Sequence, residues 1–256
     1  MTKPAHFVWY DVMTDDVPAT EAFYKSVAGW TTRDASTPDT AYTLFCVGEA
    51  MVCGLMPIPK DVLAAGVRPA WMGYIGVPDV DDFARQVTAA GGVVRRPPRD
   101  IPDIGRFSVV ADPDGAGFIL FAPKPGPTPP VVAPRTPGHF GWRELRAGDG
   151  ERAFAFYSQL FGWTKAMAVD MGAMGTYQTF AAGGGEPIGG MMTKGPGWSG
   201  GWLYFINVDD IDAAAARVGK AGGAVVSGPH PVPNGAFVIG GRDNRGADFA
   251  LLGPRR

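Results

Sequence analysis

HFVWYDVMTDDVPATEAFYKSVAGWT (residues 6–31) and HFGWRELRAGDGERAFAFYSQLFGWT (residues 139–164) are two copies of one pattern, and their reading decides how the chain is built. At an offset of 133 residues His6 falls on His139, Phe7 on Phe140, Trp9 on Trp142, Asp11 on Glu144 and Asp16 on Asp149. The same shift pairs Phe23-Tyr24 with Phe156-Tyr157 and Gly29-Trp30-Thr31 with Gly162-Trp163-Thr164. Within the first copy, residues 6–13 form an apolar strand. Asp16 is placed to cap a helix whose first turn holds Pro18 and whose end is marked by Gly29. Beyond it, Tyr42 to Val47 and Ala50 to Met56, separated by Gly48-Glu49, read as a hairpin.

Outward from that stretch the correspondence drifts to an offset of 131, where WMGYIGVPDVD (71–81) meets WLYFINVDDID (202–212), and Asp112 with Gly115 meets Asp243 with Gly246. Here a strand is followed by a helix with Val80, Phe83, Ala84, Val87 and Ala90 on one face and Gly91 at its end; its copy carries Ile211, Ala214, Ala215, Val218 and Ala221. Short strands at Val93-Val94, Phe107 to Ala111 and Phe118 to Phe121 complete the pattern, the last two joined by the turn Asp112-Pro113-Asp114-Gly115. Each half therefore holds two βαβββ units, four in the chain, in an α+β tandem duplication. Between the halves runs PKPGPTPPVVAPRTPG, too rich in proline for helix or ladder and suited to a semi-extended connector. The expected division is a first domain over residues 1–122, a linker over 123–138 and a second domain over 139–256.

With 46% apolar and 19% charged residues and a net charge of -2, the chain has the composition of an ordinary globular protein. No apolar run approaches the roughly 20 residues that cross a bilayer, and residues 1–10 lack a basic segment followed by an apolar one, so neither a membrane nor secretion is expected. Basic residues cluster only briefly, as at Arg95-Arg96 with Arg99, which argues against a nucleic-acid partner. Two cysteines, Cys46 and Cys53, make no stapled scaffold, and a reducing, cytoplasmic setting is expected.

The segments MTDDVPATEAFYKSVAGW and RAGDGERAFAFYSQLFGW, the helices VPDVDDFARQVTAAGG and VDDIDAAAARVGKAGG, and the ending ADPDGAGFILF together resemble the vicinal oxygen chelate superfamily. That superfamily includes glyoxalase I, bleomycin-resistance proteins and extradiol dioxygenases. The resemblance spans nearly the whole chain outside the linker and implies four βαβββ modules paired as two glyoxalase-like domains with cup-shaped sheets. It also implies that the tandem halves mimic the dimers of shorter relatives, so the chain is expected to be a monomer or a homodimer.

In the metal-dependent members, four His, Glu or Gln ligands sit on inward strand positions. Counted from Asp16 and Asp149, the first-strand positions are Trp9 and Trp142, and the hairpins give Cys53 and Gly189. The third positions are Met72 and Leu203, the fourth Ile119 and Ala250. If the halves pair as the family's dimers do, one cup receives Trp9, Cys53, Leu203 and Ala250, and the other Trp142, Gly189, Met72 and Ile119. A divalent ion needs several carboxylate or imidazole donors at about 2.0 to 2.6 Å, and these residues offer one soft thiol, so no metal is expected in either cup. No organic cofactor is expected either: Gly183 to Gly185 and Gly189-Gly190 lack the strand and helix of a dinucleotide fingerprint.

Two residues beyond each tryptophan, Asp11 and Glu144 occupy the same nominal face and are the candidate catalytic groups, since desolvation would raise a carboxylate toward neutral pH. The alternative is that they pair with Arg33, Arg143, Arg146 or a strand-edge amide, or point to the cup mouth and stay solvated. Cys53 reads better as a buried inert thiol than as a nucleophile, and His6 and His139 as strand-entry residues. Trp9, Trp142, Met72, Phe107 and Phe118, with Tyr42 and Tyr177 on the hairpins, would line the cups with aromatic surface. The expected function is binding of a small apolar or aromatic molecule without a metal; the alternative is a glyoxalase-like lyase or isomerase, metal-dependent or using a carboxylate as acid and base.

Overall fold

The computed structural model describes residues 5–126, 132–133 and 135–256; Pro127, Pro129, Pro130 and Pro134 of the proline-rich segment lie outside the described residues. The first module runs β1 (Phe7–Thr14), α1 (Val17–Ala28), β2 (Thr31–Asp34), β3 (Thr43–Val47) and β4 (Ala50–Pro57), and a short helix α2 (Lys60–Ala64) leads to the second. That one is β5 (Ala70–Gly76), α3 (Val80–Ala89), β6 (Val93–Ile101), β7 (Gly105–Ala111) and β8 (Gly117–Pro123). The second half repeats both: β9 (Phe140–Ala147), α4 (Gly150–Phe161), β10 (Trp163–Asp170), β11 (Thr176–Ala182) and β12 (Pro187–Thr193), then β13 (Gly201–Asn207), α5 (Ile211–Lys220), β14 (Ala224–Val232), β15 (Ala236–Arg242) and β16 (Asp248–Pro254).

The chemistry of the helix ends fixes the register of all four modules. Asp16, Asp79, Asp149 and Asp210 each cap a helix, with Asp16 accepting from the Ala19 amide at 3.1 Å and Asp149 from the Arg152 amide at 3.0 Å. Such a cap contributes about 1 kcal/mol by satisfying an amide that the helix itself leaves open. Gly29 and Gly162 end α1 and α4 at φ 71° and 66°, a left-handed turn that glycine makes without a Cβ clash.

The strands form two open eight-stranded sheets, in the orders β2-β3-β4-β1-β5-β8-β7-β6 and β10-β11-β12-β9-β13-β16-β15-β14. Each sheet thus contains the two modules of one sequence half. β6 and β14 are longer than the two-residue apolar stretch suggested, nine residues each. The reason is their place at the end of the strand order: on an edge, Pro97 and Pro98 need no ladder donor on their outer side, and register shifts between Val94 and Arg96 and between Arg96 and Arg99 absorb them.

Packing divides the chain differently from strand pairing, because each of two compact units draws on both halves. One comprises Met1–Trp9, Met72–Pro130 and Trp142–Trp202, the other Tyr10–Trp71, Val131–Gly141 and Leu203–Arg256. Inside the first, the buried Tyr157 hydroxyl accepts from Trp202 Nε1 at 2.9 Å and donates to Asp112 Oδ2 at 3.2 Å, and the Tyr157 ring stacks on Trp163 at 5.5 Å. Trp163 in turn donates from Nε1 to the Ala5 carbonyl at 2.8 Å. Inside the second, Tyr24 accepts from Trp71 Nε1 at 2.7 Å and donates to Asp243 Oδ2 at 3.1 Å, while Trp30 Nε1 donates to the Gly138 carbonyl at 2.8 Å. The repeated Phe-Tyr, Gly-Trp and aspartate-turn motifs are therefore core-building devices: each tyrosine joins a helix of one half to an aspartate turn of the other, and each tryptophan bonds a backbone carbonyl of the other half.

Candidate functional site: two carboxylate–tyrosine clusters

Strand alternation and ring contacts together assign the two faces of each strand. On β1, Tyr10 stacks on Phe140 at 3.9 Å, and Phe140 meets Trp30 and Trp71 in the helix layer, so Trp9 and Asp11 point to the opposite face. On β4, Cys53 pairs with Phe45, whose ring meets Tyr24, whereas Gly54 pairs with Asp11. Cys53 therefore faces the helices, not the cup, one residue out of the expected register. Gly189 is corrected likewise: it pairs with Phe180, which stacks on Trp163, and Gly190 is the residue beside Glu144. Phe118, expected to line a cup, packs instead on Tyr157 and Phe161.

The remaining positions fall on the face away from the helices. Ile75 and Leu120 belong to the helix-side core, which turns Met72 and Ile119 to the other side of β5 and β8. Phe249, against Phe23, similarly turns Ala250 to the other side of β16, and Phe205, which pairs with Ala250, brings Leu203 onto that face of β13. Strand order places Trp9, Met72 and Ile119 in the first sheet and Trp142, Leu203 and Ala250 in the second, whereas packing groups Met72, Ile119, Trp142 and Gly189 in one compact unit and Cys53, Leu203 and Ala250 in the other, as the sharing between halves anticipates for all but Trp9.

Asp11 is 1% exposed, and Tyr42, just before β3, donates its hydroxyl to Asp11 Oδ1 at 2.7 Å. Gly54 makes this possible, because a Cβ there would overlap the Tyr42 hydroxyl and the Asp11 carboxylate. The second half builds the same triad from Glu144, Tyr177 and Gly190, where a Cβ would overlap the Tyr177 ring. Tyr177 accepts from Trp142 Nε1 at 2.7 Å and is hydrogen-bonded to Glu144; burial, with that carboxylate alongside, pushes its phenol well above the ordinary tyrosine range.

Glu144 has a further partner. Arg146, two residues along β9 on the same face, donates from Nε to Glu144 Oε1 at 2.8 Å, and the Trp198 ring covers its guanidinium at 4.9 Å from the ring centre. Of the two alternatives for Glu144, pairing with an arginine is the one observed, while Asp11 is held by a phenol. The sequence offered Arg146 only as a possible partner of the carboxylates, and it assigned no site role to Gly54, Gly190 or Trp198. Arg146 was legible as a candidate from strand alternation with Glu144; Trp198 sits in the stretch GPGWSGG, which has no periodicity. Burial pushes the Cys53 thiol well up, the state of an unreactive cysteine. His6 is exposed, and His139 Nδ1 lies 3.3 Å from the Pro137 carbonyl.

These residues do not fit the four-donor metal site that the family's metal-dependent members use. Among the described residues no three His, Cys, Asp or Glu side chains come together. Each cluster holds a single carboxylate already engaged by a phenol or a guanidinium, and the nearby strand positions carry indole, thioether, aliphatic or no side chains. A divalent ion set there would recover little of its hydration energy.

The family model for the glyoxalase/bleomycin resistance protein/dioxygenase superfamily matches residues 4–120 and again 136–251, and the chain belongs to that superfamily. It is 33% identical over 249 residues to "Putative glyoxylase CFP32" of Mycobacterium tuberculosis, an alignment covering 96% of this chain and 94% of that one. It is 29% identical over 266 residues to the anthracycline biosynthesis protein DnrV of Streptomyces peucetius, with 97% and 93% covered. Among solved structures, the Mn(II)-bound glyoxalase of Novosphingobium aromaticivorans superposes with a TM-score of 0.68 at 15% identity over 100% of this chain and 84% of that one. The 2,2',3-trihydroxybiphenyl 1,2-dioxygenase of Sphingomonas wittichii gives 0.65 at 15%, covering 99% and 91%. At that identity the likeness is one of fold. Among the described residues no helix is long and apolar enough to cross a membrane.

Proposed function

We propose that the chain binds a small, flat, largely apolar molecule against the helix-free faces of its sheets, with carboxylate–tyrosine pairs supplying directional hydrogen bonds where metal-dependent relatives use an ion. The observation that carries this reading is the recurrence of one triad in both halves, Asp11–Tyr42–Gly54 and Glu144–Tyr177–Gly190, at positions with no set of metal donors. A buried carboxylate with a phenol orients a polar edge of a ligand, while Trp9, Trp142, Met72 and Ile119 offer apolar and aromatic surface. Such surface contributes roughly 25 cal/mol per Å² removed from water. The name of the Streptomyces relative, which places it in the making of anthracyclines, supports a planar aromatic ligand. Two unpaired, buried cysteines accord with a cytoplasmic setting.

A thermal-shift screen of planar aromatic compounds in chelator-treated buffer tests this reading. A ligand at about 100 times its Kd stabilises the folded state by about 2.7 kcal/mol, a shift of a few degrees. No shift with any planar compound at millimolar concentration contradicts the proposal.

A second reading, proton transfer in a lyase or isomerase reaction, is favoured by the 2.7 Å contact between Tyr42 and Asp11, a geometry that suits passage of a proton between phenol and carboxylate. In that case Asp11→Asn or Glu144→Gln abolishes turnover while leaving ligand affinity mostly intact; unchanged turnover in both variants excludes it.

A further inference from the structure

We propose that the Glu144 cluster recognises an aromatic anion, a flat ring system bearing a carboxylate or similar oxyanion, and that Arg146 is the group that binds its charge. This rests on the reading of the chain as a binder of flat aromatic molecules and adds to it the ligand's charge and the half of the chain that takes it.

Glu144 holds Arg146 in place along β9. Its side chain is 24% exposed, and its Nε is taken by Glu144, itself 13% exposed at the side chain. Its two terminal nitrogens donate to no described residue. A guanidinium pinned at Nε presents those nitrogens as a fixed fork, the geometry that matches a planar carboxylate with two parallel hydrogen bonds. Trp198 covers one face of the guanidinium at 4.9 Å and strips water from that face, while the Trp198 residue itself stays 38% exposed.

Glu144 offsets one charge, but it is not the only charge present. An ideal Cβ at Gly200 would lie 3.4 Å from both the Arg146 carbonyl oxygen and Lys194 Nζ, which sets an ammonium beside the same stretch of β9. Lys194 pairs with no carboxylate among the described residues. A second cation thus lies near the Arg146 backbone, and Tyr177, its phenol pushed up by burial, stays in its neutral, hydrogen-bonding form.

The first half has no such device. By the offset of 133 the counterpart of Arg146 is Met13, a side chain that brings no charge to the pair of Asp11 and Tyr42. One anion site per chain follows, in the second half.

Isothermal titration with 2-naphthoate and its uncharged isostere 2-naphthamide tests the proposal. The unaltered protein is expected to bind the naphthoate at least about tenfold more tightly, the worth of one charge-assisted hydrogen bond. Arg146→Met, which installs the first-half residue, is expected to remove that preference while the naphthamide affinity stays within about threefold. Glu144→Gln combined with Arg146→Met leaves no unpaired carboxylate behind and gives the same loss if the single variant fails to fold. Equal binding of both probes by the unaltered protein, or an undiminished preference in the variants, overturns the anion site and leaves the aromatic reading standing. Binding of neither probe overturns both.

Discussion

At the residue scale, the two glycines opposite the carboxylates carry the site's geometry. Gly54 and Gly190 leave room for Tyr42 and Tyr177 to lie across the neighbouring strand. Adding one methyl group at either forces the phenol away from its acid. Gly54→Ala is expected to lower stability by about 1–3 kcal/mol in urea denaturation and to weaken ligand binding, since overpacking and loss of a buried hydrogen bond act together; an unchanged midpoint contradicts the triad. Strand alternation in the sequence placed Asp11, Glu144, Trp9 and Trp142 on one face, but it put Cys53 and Gly189 there as well. The error is one of counting through the turn: the hairpin pairing shifts register between Phe45 and Cys46, and again between Phe180 and Ala181, and no residue type announces such a shift.

At the scale of elements, the tyrosine hydroxyls of α1 and α4 each bridge an indole and a turn aspartate. Tyr157→Phe leaves Trp202 Nε1 and Asp112 without that partner, and about 1–3 kcal/mol of destabilisation is expected, with Tyr24→Phe matching it in the other unit. Desolvation holds Asp112 and Asp243 above the ordinary aspartate range, whereas Arg106 holds the half-exposed Asp81 below it. A carboxyl whose pKa is raised by folding binds more protons in the folded chain. Its contribution to stability is therefore greatest below the unfolded pKa and is lost as pH rises through the folded pKa; Asp81 acts with the opposite sign. Carbon-13 NMR of the carboxyl groups is expected to find Asp112 and Asp243 titrating at higher pH than Asp81, and the reverse order contradicts the burial argument. These helices and their caps were legible from Asp16, Asp149 and their glycine ends. The length of β6 was not, because Pro97 and Pro98 read as breakers until the strand's place on an edge is known.

At the scale of the whole molecule, the duplication was written in the sequence, yet the partner of each aromatic motif was not, because a contact between Phe23 and Phe249 or between Phe118 and Tyr157 leaves no local periodicity. Both compact units take residues from each half, so a chain cut in the proline-rich segment exposes aromatic core on both fragments. Residues 1–122 and 139–256 produced separately are expected to be unfolded or self-associated and to regain a dispersed NMR spectrum on mixing; a stable monomeric fragment contradicts the unit assignment. Binding by hydrogen-bonded carboxylates and aromatic walls, without an ion, is open to calorimetric titration of a planar aromatic ligand found in the screen. The titration is made once into chelator-stripped protein and once into protein supplied with each of Mn(II), Zn(II) and Fe(II). Equal affinity in all four titrations is the result expected; binding that appears only when one of the ions is restored would contradict it.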